Sequence, residues 1–368
     1  MRPLAIGVNA LYLIPGQVGG TEIYLRSLLA ALAEHDPVNR YFVFTNRETG
    51  RDLVPEKPNF EIVPQPVRAA FRPQRILWEQ TGLPIAAMRR QLDVMLNPGF
   101  TMPLASHCPQ VTVFHDLQHK RHPEYFRWFD LPFWRFLLFW SAHMSRLVVA
   151  PSRATAADLM RYYRLPKTKV RVARSGVDSI FFELGKRRRP EPILLSVCTL
   201  HPHKNLDALL RAFAWFRLTH PEFRLIACGL QGFYTERLFA LRASLGLEDA
   251  VDFPGWIPRE DLHELFTRAW AFFYPSLFEG FGLPVVEALA AGIPTVCSGI
   301  PPLSTIAGTA AVKFDPRDPE ALARAMASVV TDEALRARLS EEGPRRAAEF
   351  SWRETAEAVL AALREAAE

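Results

Sequence analysis

The sequence predicts an α/β chain built from two successive, mainly parallel sheets. Three observations carry this. The chain has 368 residues; at roughly 150 per domain that favours two domains, since single cores stop growing near about 250–300 residues. Short apolar runs alternate with longer amphipathic segments, the pattern of βαβ units. The alternation restarts after a charged, Pro-containing stretch at 183–192, ELGKRRRPEP, which has no apolar periodicity and reads as a linker.

In chain order, Leu4-Ala-Ile-Gly-Val8 reads as a first buried strand. It is too short for the apolar region of a secretory leader and lacks a cleavage site, so the expectation is a cytoplasmic protein. Thr21 to Ala33 reads as a helix with Leu25, Leu28, Leu29 and Leu32 on one face. Tyr41–Phe44, Val111–Phe114 and Leu147–Ala150 read as strands, and Ser152 as the N-cap of another helix. After the linker come strands at Ile193–Val197, Phe223–Ala227, Val251–Phe253, Ala271–Tyr274 and Thr295–Cys297. Helices are expected at Asn205–Arg217 and Val285–Ala291. The expected organisation is 1–182, a linker at 183–192, 193–347, and a terminal helix at 348–368.

Composition narrows the class. Hydrophobic residues are 49% and charged residues 23%, which excludes wholesale disorder and a disulfide-dense scaffold. A net charge of +5 is too small to indicate nucleic-acid binding, and allows an anionic ligand or an acidic membrane surface. Cys108, Cys198, Cys228 and Cys297 are far apart and lie among apolar residues, so they read as free buried thiols. The cluster Lys186-Arg187-Arg188-Arg189 has no interleaved aromatics and reads as solvated linker. The segment Phe126 to Trp140, FRWFDLPFWRFLLFW, is broken by Arg127, Asp130 and Arg135 and falls short of the ~20 apolar residues of a spanning helix. It has two readings: a helix packed in the first domain, or a face that leans on a membrane.

The chemistry concentrates in Tyr274 to Ser298, YPSLFEGFGLPVVEALAAGIPTVCS. Glu279 precedes Gly280-Phe281-Gly282; Pro284 stands near the start of a helix, and Glu287 sits on its second turn. Glycines let backbone N–H groups approach a ligand, and the helix start favours an anion. The two carboxylates are placed to hold different hydroxyls of one extended polar ligand. Glu287 lies between Val286 and Ala288, which suggests a partly buried acid in want of a partner.

This segment resembles the signature of the retaining GT-B glycosyltransferases of group 1, or family 4: two Glu separated by seven residues, with Phe-Gly after the first. The resemblance implies that Glu279 contacts the donor sugar and that Glu287 holds the nucleotide ribose. It extends over essentially the whole chain. Leu195 to Asn205, LSVCTLHPHKN, matches the loop whose Lys touches the donor diphosphate, as Lys204. The Arg usual five residues earlier is Thr199 here, as in a subgroup with Thr and Lys-Asn; His203 or Arg174 is left to supply the missing charge. His201 and His203 alone lack the further ligands of a metal site.

Gly19-Gly20, in a Gly-rich turn between the first strand and helix, match the family's phosphate-facing turn. His115, just past a strand, matches the His lining the donor-sugar pocket; Asp116 either orients it or caps the next turn. Val251 to Ile257 matches the loop whose backbone near Trp256 and Ile257 holds the nucleobase. Val148 to Asp178 and the terminal FSWRETAE also match, the latter as a helix crossing back to the first domain.

The expectation is therefore a GT-B fold, two Rossmann-like domains facing across a cleft. It would retain anomeric configuration while moving a sugar from a nucleotide-diphosphate donor, GDP-mannose or a UDP-sugar, to a hydroxyl of a glycan or lipid-linked acceptor. Such a reaction serves cell-surface polysaccharide or glycolipid synthesis. His115 and Glu279 would be catalytic. Gly19, Gly20, Thr199, His203, Lys204, Trp256, Ile257, Gly280, Phe281, Gly282, Leu283 and Glu287 would bind donor. No metal or other cofactor is expected, and no nucleic-acid partner; contact with acidic lipid at the inner face of the membrane is left open. The competing classes are an epimerase or hydrolase of nucleotide sugars, and a non-catalytic binding protein.

Overall fold

A computed structural model describes residues 2–126 and 128–368; Arg127, one of the charges interrupting the aromatic segment, lies outside the described residues. The chain divides into two compact units, Met1–Gly176 with Trp352–Glu368, and Val177–Ser351.

The first unit contains β1 (Ala5–Asn9), α1 (Gly20–His35), β2 (Arg40–Thr45), β3 (Phe60–Pro64), α2 (Arg72–Arg89) and β4 (Val94–Asn97). It continues with β5 (Gln110–Val113), α3 (Gln118–Arg121), α4 (Leu131–Met144), β6 (Leu147–Ala150), α5 (Arg153–Tyr163) and β7 (Val170–Val172). Its seven strands lie in the order β3-β2-β1-β4-β5-β6-β7, each pair parallel. Strand alternation splits the core between the two faces. Ile6, Val8, Val111 and Val113 share one cluster with α1, while Phe114, Val148 and Ala150 share another with α4 and α5. Ser152 caps α5 as its sequence implies, its Oγ accepting from the Thr155 N–H at 3.0 Å.

The second unit contains α6 (Ile180–Gly185), β8 (Ile193–Val197), α7 (Leu206–Arg217), β9 (Arg224–Cys228), α8 (Thr235–Ser244), β10 (Val251–Gly255), α9 (Arg259–Arg268) and β11 (Ala271–Tyr274). Then follow α10 (Leu283–Ala290), β12 (Thr295–Ser298), α11 (Leu303–Ala307), β13 (Ala311–Phe314), α12 (Pro319–Thr331) and α13 (Glu333–Ala347). The six strands are parallel in the order β10-β9-β8-β11-β12-β13. The last helix, α14 (Trp352–Ala367), belongs to the first unit. It buries Ala356, Val359, Ala362, Leu363 and Ala366 in the cluster that holds α1.

One sequence expectation needs correction. The division falls at Gly176/Val177 rather than within 183–192, because the charged stretch is docked on the second unit. α6 packs against α9 and α10. The Arg189 and Glu191 N–H groups donate to the Thr267 and Arg268 carbonyls, both at 2.8 Å. Arg188 is not a solvated charge either. Its guanidinium donates to the carbonyls of Gly292 and Ala269, and burial pulls its pKa down to about 10. The four cysteines are free and buried. Among the described residues no helix is long and apolar enough to cross a membrane.

Candidate functional site

In open parallel sheets, ligands bind beyond the carboxyl ends of the strands where the winding direction reverses. In the second unit that point lies between β8 and β11. From β8 the chain winds outward through β9 and β10, then returns beside β8 as β11 and winds the other way. The two loops leaving this point carry Lys204 and Glu279.

Residues 198–205, after β8, tighten into a turn at Pro202–Lys204, and Asn205 adopts φ 56° before α7. The loop after β11 is stitched to this turn by the Leu277 N–H, which donates to the His203 carbonyl at 2.7 Å. Lys204 then meets Glu279: Nζ donates to Oε1 at 2.5 Å, with the side chains only 12% and 9% exposed. Nζ also donates to the Tyr274 hydroxyl at 2.9 Å. Burial opposes the lysine's charge, but Glu279, Tyr274 and Cys198 outweigh it and hold the ammonium above the usual lysine range. Burial, reinforced by Glu279, drives the Tyr274 phenol upward, so it stays protonated.

Gly282 starts α10 at φ 112°, a conformation that disfavours side chains, and an added Cβ would lie 2.4 Å from Leu303 Cδ2. Leu283 and Pro284 open the first turn; Pro284 has no N–H and the Val285 N–H donates to the Gly282 carbonyl at 3.0 Å, so the Leu283 N–H is the helix-start donor left for a ligand. Phe281 is buried edge-on against Phe350, anchoring the loop, and Gly280 is buried beside it. Glu287, 7% exposed, makes no hydrogen bond or ion pair among the described residues. Burial lifts its carboxyl to about 7 despite Arg259, whose guanidinium is engaged with Asp178 at 2.6 Å. Two buried hydroxyls on the same sheet edge, Ser276 and Ser298, also lack partners among the described residues.

His203 Nδ1 and His201 Nδ1 approach to 2.7 Å. Thr199 is half-buried in the same loop. Arg174 pairs with Glu354 in the first unit, at 3.3 Å. Trp256 is exposed and Ile257 half-buried past the end of β10.

In the first unit the winding reverses between β1 and β4. Gly19 caps α1 at φ 60°, and Gly20 is its first residue. One amide of this turn is already taken, since the Gly16 N–H donates to Glu22 at 2.8 Å. His115, past β5, lies 2.8 Å from the Pro98 carbonyl through Nε2. A carbonyl only accepts, so Nε2 carries the proton. Burial depresses the imidazole to about 4, leaving it neutral with Nδ1 as an acceptor. Asp116 Oδ1 accepts from the Gln118 N–H at 2.9 Å, capping the next turn.

Sequence reasoning missed three residues. Tyr274 was read as an ordinary strand residue. Gly229, at φ 146°, lets the loop after β9 approach the loop of Lys204; a Cβ there would lie 2.0 Å from the Cys198 carbonyl oxygen. Glu79 of α2, 3% exposed, accepts from Asn9 and Thr101, both at 2.8 Å. It ties α2 to the reversal point of the first sheet. Only Gly229, a glycine just past a strand, carried a local signal.

The family model described as "Glycosyl transferases group 1" matches residues 178–346, and "Glycosyltransferase Family 4" matches residues 18–180. The chain is 28% identical over 257 residues to an O-antigen chain mannosyltransferase B of Escherichia coli, covering 66% of each chain. The match thus spans just under two thirds of that relative's length. Among solved structures, a sucrose-phosphate synthase from Thermosynechococcus elongatus superposes with TM-score 0.79 at 20% identity, covering 99% of both chains. The Anabaena protein HepE, in complex with UDP and glucose, gives 0.75 at 19% identity, covering 98% of this chain and 99% of its own.

Proposed function

The chain belongs to the group 1 glycosyl transferases, and from that premise we propose that it moves a sugar from a nucleotide-diphosphate donor to a hydroxyl acceptor with retained anomeric configuration. One observation carries the reading. The Lys204–Glu279 ion pair stands at the switch point of the second sheet, and the buried, unpartnered carboxylate of Glu287 lies on the second turn of the helix behind it. An enclosed cation, a helix start and two carboxylates are what a diphosphate, a ribose and a hexose require.

Lys204 is a permanent cation at one end of the site. The donor diphosphate shares it with Glu279 and takes a further hydrogen bond from the Leu283 N–H at the start of α10. As the bond between the anomeric carbon and the phosphate oxygen breaks, negative charge grows on the leaving diphosphate, where these groups stabilise it without a metal. The acceptor oxygen bonds to the anomeric carbon, and its proton passes to a leaving-group oxygen. Glu279 accepts from donor-sugar hydroxyls and opposes positive charge developing on the ring. Glu287 accepts from the ribose, and neutral His115 offers Nδ1 to a sugar hydroxyl. Between His203 and Arg174 as the substitute cation at Thr199, His203 is favoured, because it lies in the loop of Lys204.

The E. coli relative, an O-antigen chain mannosyltransferase, supports mannose as the sugar and a cell-surface polysaccharide or lipid-linked glycan as acceptor. The HepE complex with UDP supports a uridine donor as the other candidate. The test incubates the chain with GDP-mannose or UDP-glucose, with and without lipid-linked glycan extracts, and follows labelled sugar. Transfer that needs acceptor and falls at least about 100-fold in Glu279→Ala supports the proposal. Turnover of donor alone to an epimer or free sugar, or full activity in the variant, contradicts it.

A further inference from the structure

We propose that α4 and the turn before it anchor the first unit on an anionic lipid surface. This stands independently of the transfer reaction. The aromatic segment turns outward: Trp128, Phe129, Phe133, Phe136, Trp140 and Met144 are all exposed, Trp128 by 84% and Phe136 by 57%. From Phe133 on, spacings of three, four and four residues hold them on one helix face. The opposite face buries Leu137, Leu138, Ser141 and Ala142, so the fold is satisfied without the aromatic face. The two sequence readings of this segment thus describe two sides of one helix. Soluble surfaces carry large apolar residues singly, and a contiguous group of six marks a docking surface.

Charge identifies what docks. Between Gln118 and Lys169 the sequence holds ten Lys or Arg against three Asp or Glu, an excess of seven that exceeds the +5 of the entire chain. Two of those acids are engaged: Asp158 with Arg121 at 3.3 Å, and Glu124 with His122 at 2.9 Å. The cations border the helix. Arg72 lies 5.2 Å from the Trp134 ring, Lys169 donates to the carbonyl of His143 in the last turn, and Met144 shares a cavity wall with Arg146 and Lys169. A second copy of this chain would bring the same positive excess against itself. An interface of phosphate headgroups over acyl chains satisfies both parts: the rings enter the acyl boundary while Lys and Arg meet the phosphates.

The test is co-sedimentation of the full chain with vesicles of phosphatidylglycerol and phosphatidylcholine in equal parts, and of phosphatidylcholine alone. Binding to the mixed vesicles should be at least about tenfold tighter. It should weaken at least about tenfold in Phe133→Ser/Phe136→Ser/Trp140→Ser and, separately, in the charge variant Arg72→Glu/Arg146→Glu. Leu218→Ser, at an exposed leucine of the second unit, should bind as wild type. The proposal is overturned by equal binding to both vesicles, by no binding, or by aromatic and charge variants that bind as wild type. It is overturned equally by a vesicle-free dimer that the aromatic variant disperses.

Discussion

Replacing Glu287 by Gln should stabilise the fold and weaken the site. Burial lifts this carboxyl from 4.5 to about 7. At about 1.4 kcal/mol for each pH unit, ionising it in place costs about 3 kcal/mol once pH exceeds both values. The folded state holds the proton more tightly than the unfolded chain does. The cost is therefore absent below about pH 4.5, grows between about 4.5 and 7, and is complete above. Gln has the same shape and no charge, so the cost disappears. Urea unfolding at pH 8 should find Glu287→Gln more stable by about 3 kcal/mol, with the gap closing near pH 4.5. Nucleotide binding supplies a second readout. If the carboxylate is the ribose acceptor, wild-type affinity rises through about pH 7 and the variant's does not. A pH-independent gap, or a wild type more stable at pH 8, would refute the argument that burial without a partner governs this residue.

Other expectations follow from the same geometry. Lys204→Met leaves the Glu279 carboxylate enclosed without its cation and should cost about 3–5 kcal/mol in denaturant unfolding. Adding Glu279→Gln should recover at least about half of that loss, and no recovery would mean the pair is not coupled. Gly229→Ala puts a methyl group 2.0 Å from a backbone oxygen and should cost more than about 3 kcal/mol, whereas Gly246→Ala, facing open space at φ 64°, should cost about 1. His115, His119 and His201 are each held down to about 4, by burial first. The unfolded chain takes up their protons first, so melting temperature should fall as pH drops from about 6.5 toward 4; a flat profile would contradict their burial.

Much of this fold was legible because parallel strands buried on both faces read as apolar runs. β6, β8 and β11 match their sequence runs residue for residue. The strands that escaped notice have physical reasons. β3 is bounded by charge and Pro (FEIVP), β7 is only Val-Arg-Val, and β13 carries Lys313; each is an edge strand with a half-exposed position. β4, four buried residues, is too short to distinguish from the end of a helix. At the site, Glu279 and Glu287 could be read because their spacing is local, and Lys204 because its loop directly follows a strand. That Lys204 closes on Glu279 and Tyr274 across 70 or more residues could not, since strand order alone brings the two loops together. The misread linker has the same cause: Arg188 looks solvated among basic neighbours, and only the docked carbonyls of Gly292 and Ala269 reveal its burial.

The central claim is that Lys204, Glu279 and Glu287 together form a donor site. Calorimetric titration of GDP-mannose and of UDP-glucose into wild type and Glu287→Leu tests it most directly, because Leu also removes the burial cost and lost binding cannot be laid to unfolding. One sugar nucleotide should bind wild type and lose about 10- to 100-fold in the variant, the worth of a charge-assisted hydrogen bond. Failure of both nucleotides to bind wild type, or equal affinity in the two proteins, would contradict the account.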